Sequence, residues 1–226
     1  MVTSKPKAGN AIGFETYLQY SDGTDTTYEL VDGSLVEMPP PTWMHMLIAK
    51  FLVQVLDQAI TSVGKKHQWT TLATSGQRTG EASSRLPDVA IVPFNAIDSV
   101  MSSAVLPEPA PLLVEIVSNN WQDDDLIKLA EYESLSIPEY WIIDYRGLGG
   151  TRYIGQPKQP TISIYSYADG EYQVYADGEY QVTLFRQREL IKSLTFPELG
   201  LSTDDIFSAG NPALLQRFFQ DRDGEP

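Results

Sequence analysis

Two acids and one lysine stand out by where they fall. Glu115 lies inside "PLLVEIVS" (111–118), an apolar run with the length and the branched residues of a buried strand. Strand side chains alternate, so Leu112, Val114, Ile116 and Ser118 point one way and Leu113, Glu115 and Val117 the other. Both faces are then mainly apolar, as in a central strand covered on both sides. A carboxylate in that setting is strongly disfavoured unless it is paired or protonated. Asp88 opens a second apolar run, "RLPDVAIV" (85–92), with Pro87 suited to a strand's first position. Lys128 follows in "WQDDDLIKLAEYESL" (121–135), which reads as a helix with Tyr132 on the same side at i+4.

Two carboxylates from neighbouring strands can converge on one cation. Oxygen-only ligation, with water and substrate phosphate in the remaining positions, suits Mg²⁺ or Mn²⁺. A lysine reaching the same point could serve substrate oxygens. Each residue also has a plainer use. Asp88 could pair locally at a strand end, Lys128 could pair with Asp124 at i−4 on the surface, and Glu115 could meet a core arginine such as Arg85. Asp123, Asp124 and Asp125 are expected at a solvated helix N-terminus, where acids favour the macrodipole.

The elements that must position these groups can be traced along the chain. Residues 1–13 read as a loose tail and "FETYLQY" (14–20) as a short helix. "TYELV" and "LVEM", joined at Asp32-Gly33, form a hairpin that Pro39 to Pro41 stop. Thr42 caps a helix over 43–63, with Met44, Leu47, Ile48, Phe51, Val55 and Ile60 on its apolar side and Gly64 at its end. "HQWTTLATSG" and "RLPDVAIV" are two strands joined by a polar stretch, and a short helix is expected at 97–101. The 111–118 strand, the 121–135 helix and the strand "PEYWIIDY" (138–145) alternate as in an α/β domain. The C-terminal third is richer in β signals. Within it "YADGEYQV" at 167–174 recurs unchanged at 175–182, a duplication that extends a β-meander and, being of even period, keeps strand faces in parity. A last helix is expected over 212–220.

Composition narrows the classes. The 226 residues suit one domain, 14–226, after the tail. Zero cysteines exclude disulfides and cysteine-held metals, and two histidines leave any metal to oxygen ligands. A net charge of −14 argues against a broad polyanion-binding surface. The first residues carry no apolar signal core, and "MLIAKFLVQVL" is too short to span a bilayer. A cytoplasmic protein without a membrane segment is expected.

The segments "YELVDGSLVEMPPPTWMH", "RLPDVAIV", "LLVEIVS", "DDLIKLAEYESLSIPEYWIIDY" and "FPELGL" together resemble the Uma-two family of restriction-endonuclease-like proteins, within the PD-(D/E)xK nuclease superfamily. The resemblance spans most of 14–207 and is most specific from Glu115 through "IPEYWIID". It implies an α/β restriction-endonuclease-like core, a central mixed sheet flanked by helices with extra hairpins. It also implies an Mg²⁺-dependent (or Mn²⁺-dependent) endonuclease acting on DNA, with Asp88 and Glu115 holding the metal and Lys128 assisting, and a homodimer of the kind related folds form. The alternative is an inactive nuclease fold serving as a binding module. The superfamily's lysine usually follows the acid by two residues, where this chain has Val117; in the Uma-two family it lies on the next helix, at the place Lys128 occupies. Glu29 and His45 match further family positions, as an extra metal or water contact and a phosphate contact; a hairpin polar residue and a structural hydrogen bond are their plainer uses.

Overall fold

The structure, a computed structural model, describes residues 11–99, 101–118, 120–167 and 179–211. The expected tail up to residue 10, the expected helix over 212–220 and most of the duplicated segment lie outside the described residues.

Local sequence signals set the N-terminal elements. Asp32 and Gly33 both take positive φ, 47° and 76°, as a two-residue hairpin turn requires. They join β1 (Tyr28–Val31) to β2 (Ser34–Glu37) in antiparallel register. A short helix, α1 (Phe14–Leu18), precedes them. The Thr42 hydroxyl accepts the His45 N–H and caps α2 (Trp43–Ser62). At the other end the Gly64 N–H bonds the Thr61 carbonyl and the Lys65 N–H bonds that of Ile60, closing a Schellman motif around Gly64 at φ 73°. The buried side of α2 comprises Ile48, Phe51, Leu52, Val55, Leu56, Ala59 and Ile60. Met44, expected on that side, is exposed with Trp43 and Met46, because the first turn lies at the rim of the core.

Between residues 67 and 93 the chain makes four strands rather than two: β3 (Trp69–Ala73), β4 (Gly76–Gly80), β5 (Ser83–Arg85) and β6 (Val89–Pro93). The polar stretch expected to be a link is the β4–β5 hairpin. Gln77 and Ser84 in it are buried yet satisfied: Gln77 Oε1 accepts the Ala110 N–H, and Ser84 donates to the Gln77 carbonyl. An apolar pattern was therefore not needed to bury it. The short helix expected at 97–101 is a 3₁₀ turn at Phe94–Ala96 instead. The Phe94 N–H bonds the Gln68 carbonyl and the Ile97 N–H closes back on Phe94, so the turn forms directly at the end of β6.

Two mixed sheets result. The five-stranded sheet runs β2-β1-β5-β4-β7, with β7 (Val105–Leu106) parallel to β4. The six-stranded sheet runs β11-β10-β9-β8-β6-β3. In it β8 (Leu113–Ile116) and β9 (Glu139–Asp144) are parallel neighbours, while β10 (Thr161–Ser166) and β11 (Gln181–Phe185) extend it antiparallel. The parallel pair needs a crossover. It is made by a helical segment that begins as a π-helix (Asp123–Lys128) and continues as α3 (Leu129–Ser134). After α4 (Thr151–Ile154), α5 (Thr203–Ala209) starts with a capping box between Ser202 and Asp205.

The expected alternation holds along 112–117. Leu112, Val114 and Ile116 enter the core with α2, α5, Trp141 and Ile143, while Leu113 and Val117 enter the opposite one with Tyr132, Tyr140, Ile142 and Tyr165. Glu115, between Leu113 and Val117, faces the second core. The chain leaves the five-stranded sheet at Arg85 and enters the six-stranded one at Val89, so Asp88 stands at the junction of the two.

Candidate active site

The structure brings all five residues singled out from sequence to that junction. Glu115, 3% exposed, projects from β8. Its Oε1 accepts from Lys128 Nζ at 3.0 Å and from the Tyr132 hydroxyl at 3.1 Å, and its Oε2 accepts from no described residue. Asp88 is tied to the same strand: its Oδ2 accepts the Ile116 N–H at 2.7 Å. Its Oδ1 lies 2.8 Å from His45 Nε2, so the capped first turn of α2 fixes the second oxygen. Glu29, from β1, is 1% exposed; it accepts the Leu86 N–H at 3.0 Å and Arg85 Nη1 at 3.0 Å, and it lies 3.4 Å from Lys128 Nζ.

Three expectations change. Asp124 and Asp125 are buried, not solvated, and only Asp123 is partly exposed. The wider π turn carries positions 124, 125 and 128 inward together, while Leu126 and Ile127 face out. The i−4 pair of Asp124 with Lys128 does form, at 3.6 Å, but inside the protein. Arg85 does not partner Glu115. It grips Glu131 through Nε (2.8 Å) and Nη2 (2.6 Å) and reaches Glu29 with Nη1, pinning the helix that carries Lys128 to the five-stranded sheet. Arg85, Asp124 and Glu131 are thus members of the site that a strand-and-spacing reading did not assign. The i, i+4 spacing of 124, 128 and 132 hinted at Asp124 alone among these three.

Carboxylates outnumber cations here. Burial pushes the Glu115 carboxyl well above the ordinary range; the Lys128 ammonium draws it back, and the charges of Asp88, Asp124 and Glu29 push it further up. Burial likewise raises Asp124, to about 7, against the pull of Lys128. For Glu29 burial also acts upward, but Lys128, the Leu86 N–H and Arg85 outweigh it and hold this carboxyl low. Burial would discharge Lys128, yet Glu115, Glu29 and Asp124 around it raise its pKa well above the usual value, so it stays an ammonium. The net field favours one further cation.

The donor set fits a hard divalent ion in the two-carboxylate manner. Asp88 and Glu115 offer oxygen only, each carboxylate oxygen has a second lone pair, and Glu115 Oε2 is unspent. Among the described residues no three histidines or carboxylates form a ready cage, so water would complete the shell, as Mg²⁺ prefers.

Comparison with known proteins adds the following. The Uma2 family, described as "Putative restriction endonuclease", matches residues 14–204. The fold is similar to that of a protein from Anabaena variabilis ATCC 29413 described as "a putative nuclease belonging to DUF820". The TM-score is 0.65 at 17% identity, over 88% of this chain and 99% of that one. No curated protein matches. Among the described residues no helix is long and apolar enough to cross a membrane.

Proposed function

Since this chain belongs to the Uma2 family of restriction-endonuclease-like proteins, we propose that it hydrolyses phosphodiester bonds in DNA with Mg²⁺ or Mn²⁺ at Asp88 and Glu115. The observation that carries this reading is the meeting of Asp88, Glu115 and Lys128 at the sheet junction, with negative charge in excess of the cations present. The bound ion would supply Lewis acidity toward the scissile phosphate.

The chain's own residues do the rest. His45 and the Ile116 N–H hold Asp88 by one oxygen each, so its carboxylate plane is fixed before any ligand arrives. Tyr132 and Lys128 converge on one oxygen of Glu115 and leave the other for a ligand. The Lys128 ammonium, kept charged by three carboxylates, can turn a donor toward a phosphate oxygen as charge builds there. Arg85 and Glu131 keep that lysine's helix in place. Pairing of two copies to cut both strands belongs to the same proposal.

One observation favours a catalytically inactive fold acting as a binding or interaction module instead. Lys128 Nζ donates to Glu115 and lies 3.4 Å from Glu29 and 3.6 Å from Asp124, so its charge is already engaged by three carboxylates of the protein. The test is cleavage of plasmid and single-stranded DNA with Mg²⁺ or Mn²⁺ by the wild type, Glu115→Ala and Asp88→Ala. Metal-dependent nicking that both substitutions abolish is expected. Unchanged cleavage by both purified variants would refute the assignment, and DNA binding without turnover in the wild type would select the binding module.

A further inference from the structure

A second pair of buried carboxylates lies beyond this site. Asp144 ends β9, two residues past Ile142, which pairs with Glu115, so Asp144 faces the same side of the sheet as Glu115. It caps the loop that follows. Its Oδ1 accepts the Leu148 N–H at 3.0 Å and the Arg146 N–H at 3.3 Å, and its Oδ2 accepts that of Gly149 at 2.8 Å. Asp125 reaches the same place from the π turn. Its Oδ2 lies 3.3 Å, and Asp144 Oδ2 3.2 Å, from the point a side-chain carbon on Gly149 would occupy. Both acids are 2% exposed.

Among the described residues no hydrogen bond or ion pair compensates Asp125. Its Oδ1 is buried without any hydrogen-bond partner, and no ion pair among the described residues involves Asp125 or Asp144. The Oδ2 atoms of both carboxylates flank one point, and the other oxygen of Asp125, Oδ1, is buried without a hydrogen bond, an arrangement that a cation beside the pair completes.

We propose that Asp125 and Asp144 form a second site for a hard divalent cation, distinct from the Asp88–Glu115 site. One oxygen from each acid and water in the remaining positions make up the shell. Because Asp125 and Lys128 share the π turn, the ion ties that turn to the end of β9 and so fixes where Lys128 sits.

Calorimetric titration with Mn²⁺ tests this on the full chain, comparing wild type, Glu115→Gln and Asp125→Asn. Two ions per wild-type chain are expected, with one lost or weakened at least about tenfold in each variant. One ion that Glu115→Gln loses and Asp125→Asn keeps overturns this inference and leaves the proposed function standing. One ion with the opposite pattern supports this inference and removes the metal from the proposed active site. No binding at all overturns both. Should Asp125→Asn fail to fold, the denaturation midpoint of Glu115→Gln replaces it: Mn²⁺ raises that midpoint if the second site exists and leaves it unchanged if it does not.

Discussion

Replacing Asp125 by asparagine, measured in chelator across pH, should stabilise the protein more as pH rises. Burial, aided by the negative charge of Asp144, pushes the Asp125 carboxyl up to about 7 from an ordinary 3.8. Between those values the folded chain holds a proton that the unfolded chain has released. The folded state therefore loses stability as pH rises through that window, and the loss is complete above about pH 7. At ~1.4 kcal/mol for each pH unit the shift corresponds to ~4 kcal/mol. Local relaxation around the charge lowers that toward ~2 kcal/mol, since effective dielectric inside proteins exceeds that of a dry interior. Asparagine keeps the shape and carries no charge. Its own oxygen inherits the missing partner, which costs about 1–3 kcal/mol at every pH, so the slope rather than the offset carries the test. Urea unfolding of both proteins from pH 4 to pH 9 reads it directly. The variant should gain ~2–4 kcal/mol on the wild type across that range, or roughly 4–16 °C in Tm. A difference that is the same at both ends would refute the claim that Asp125 is buried and unpaired.

Arg85→Ala should destabilise by about 3 kcal/mol in urea unfolding, because it takes from buried Glu29 one of its two cations and leaves Lys128 alone to offset the charge, and Arg85→Lys should recover only part of this since it loses the two-pronged grip on Glu131. Tyr132→Phe should cost ~1–2 kcal/mol by the same measure, removing one donor to Glu115 while the ring keeps its edge contact with Tyr140 at 4.9 Å. Deleting residues 167–174 should leave a folded chain with an unchanged circular dichroism spectrum, because one copy of the repeat remains and strand parity is kept; loss of folding would show the second copy to be structural.

Local chemistry carried most of the fold into view. The Asp32-Gly33 turn, the Thr42 cap, Gly64 and the apolar runs at 89–92 and 112–117 each act through neighbours in sequence, and each behaves as those residues dictate. The β4–β5 hairpin did not show, because Gln77, Ser84 and Arg85 are buried by partners more distant in sequence rather than by apolar character. Asp88, Glu115 and Lys128 could be singled out as candidates because an acid at a strand start, an acid within a buried strand and a lysine on the next helix tell more together than apart, each alone having a plainer use.

What the sequence determined by itself is the family of the chain, its α/β alternation and the strands and helix that carry those three groups. Tertiary structure alone decided who pairs with whom. It set Arg85 on Glu29 and Glu131 instead of Glu115, His45 on Asp88, and turned Asp124 and Asp125 inward through a π turn. The physical reason is range. Backbone turns, caps and strand faces are fixed within a few residues, whereas the energy of a buried charge depends on which other charges the whole fold brings within a few ångströms of it.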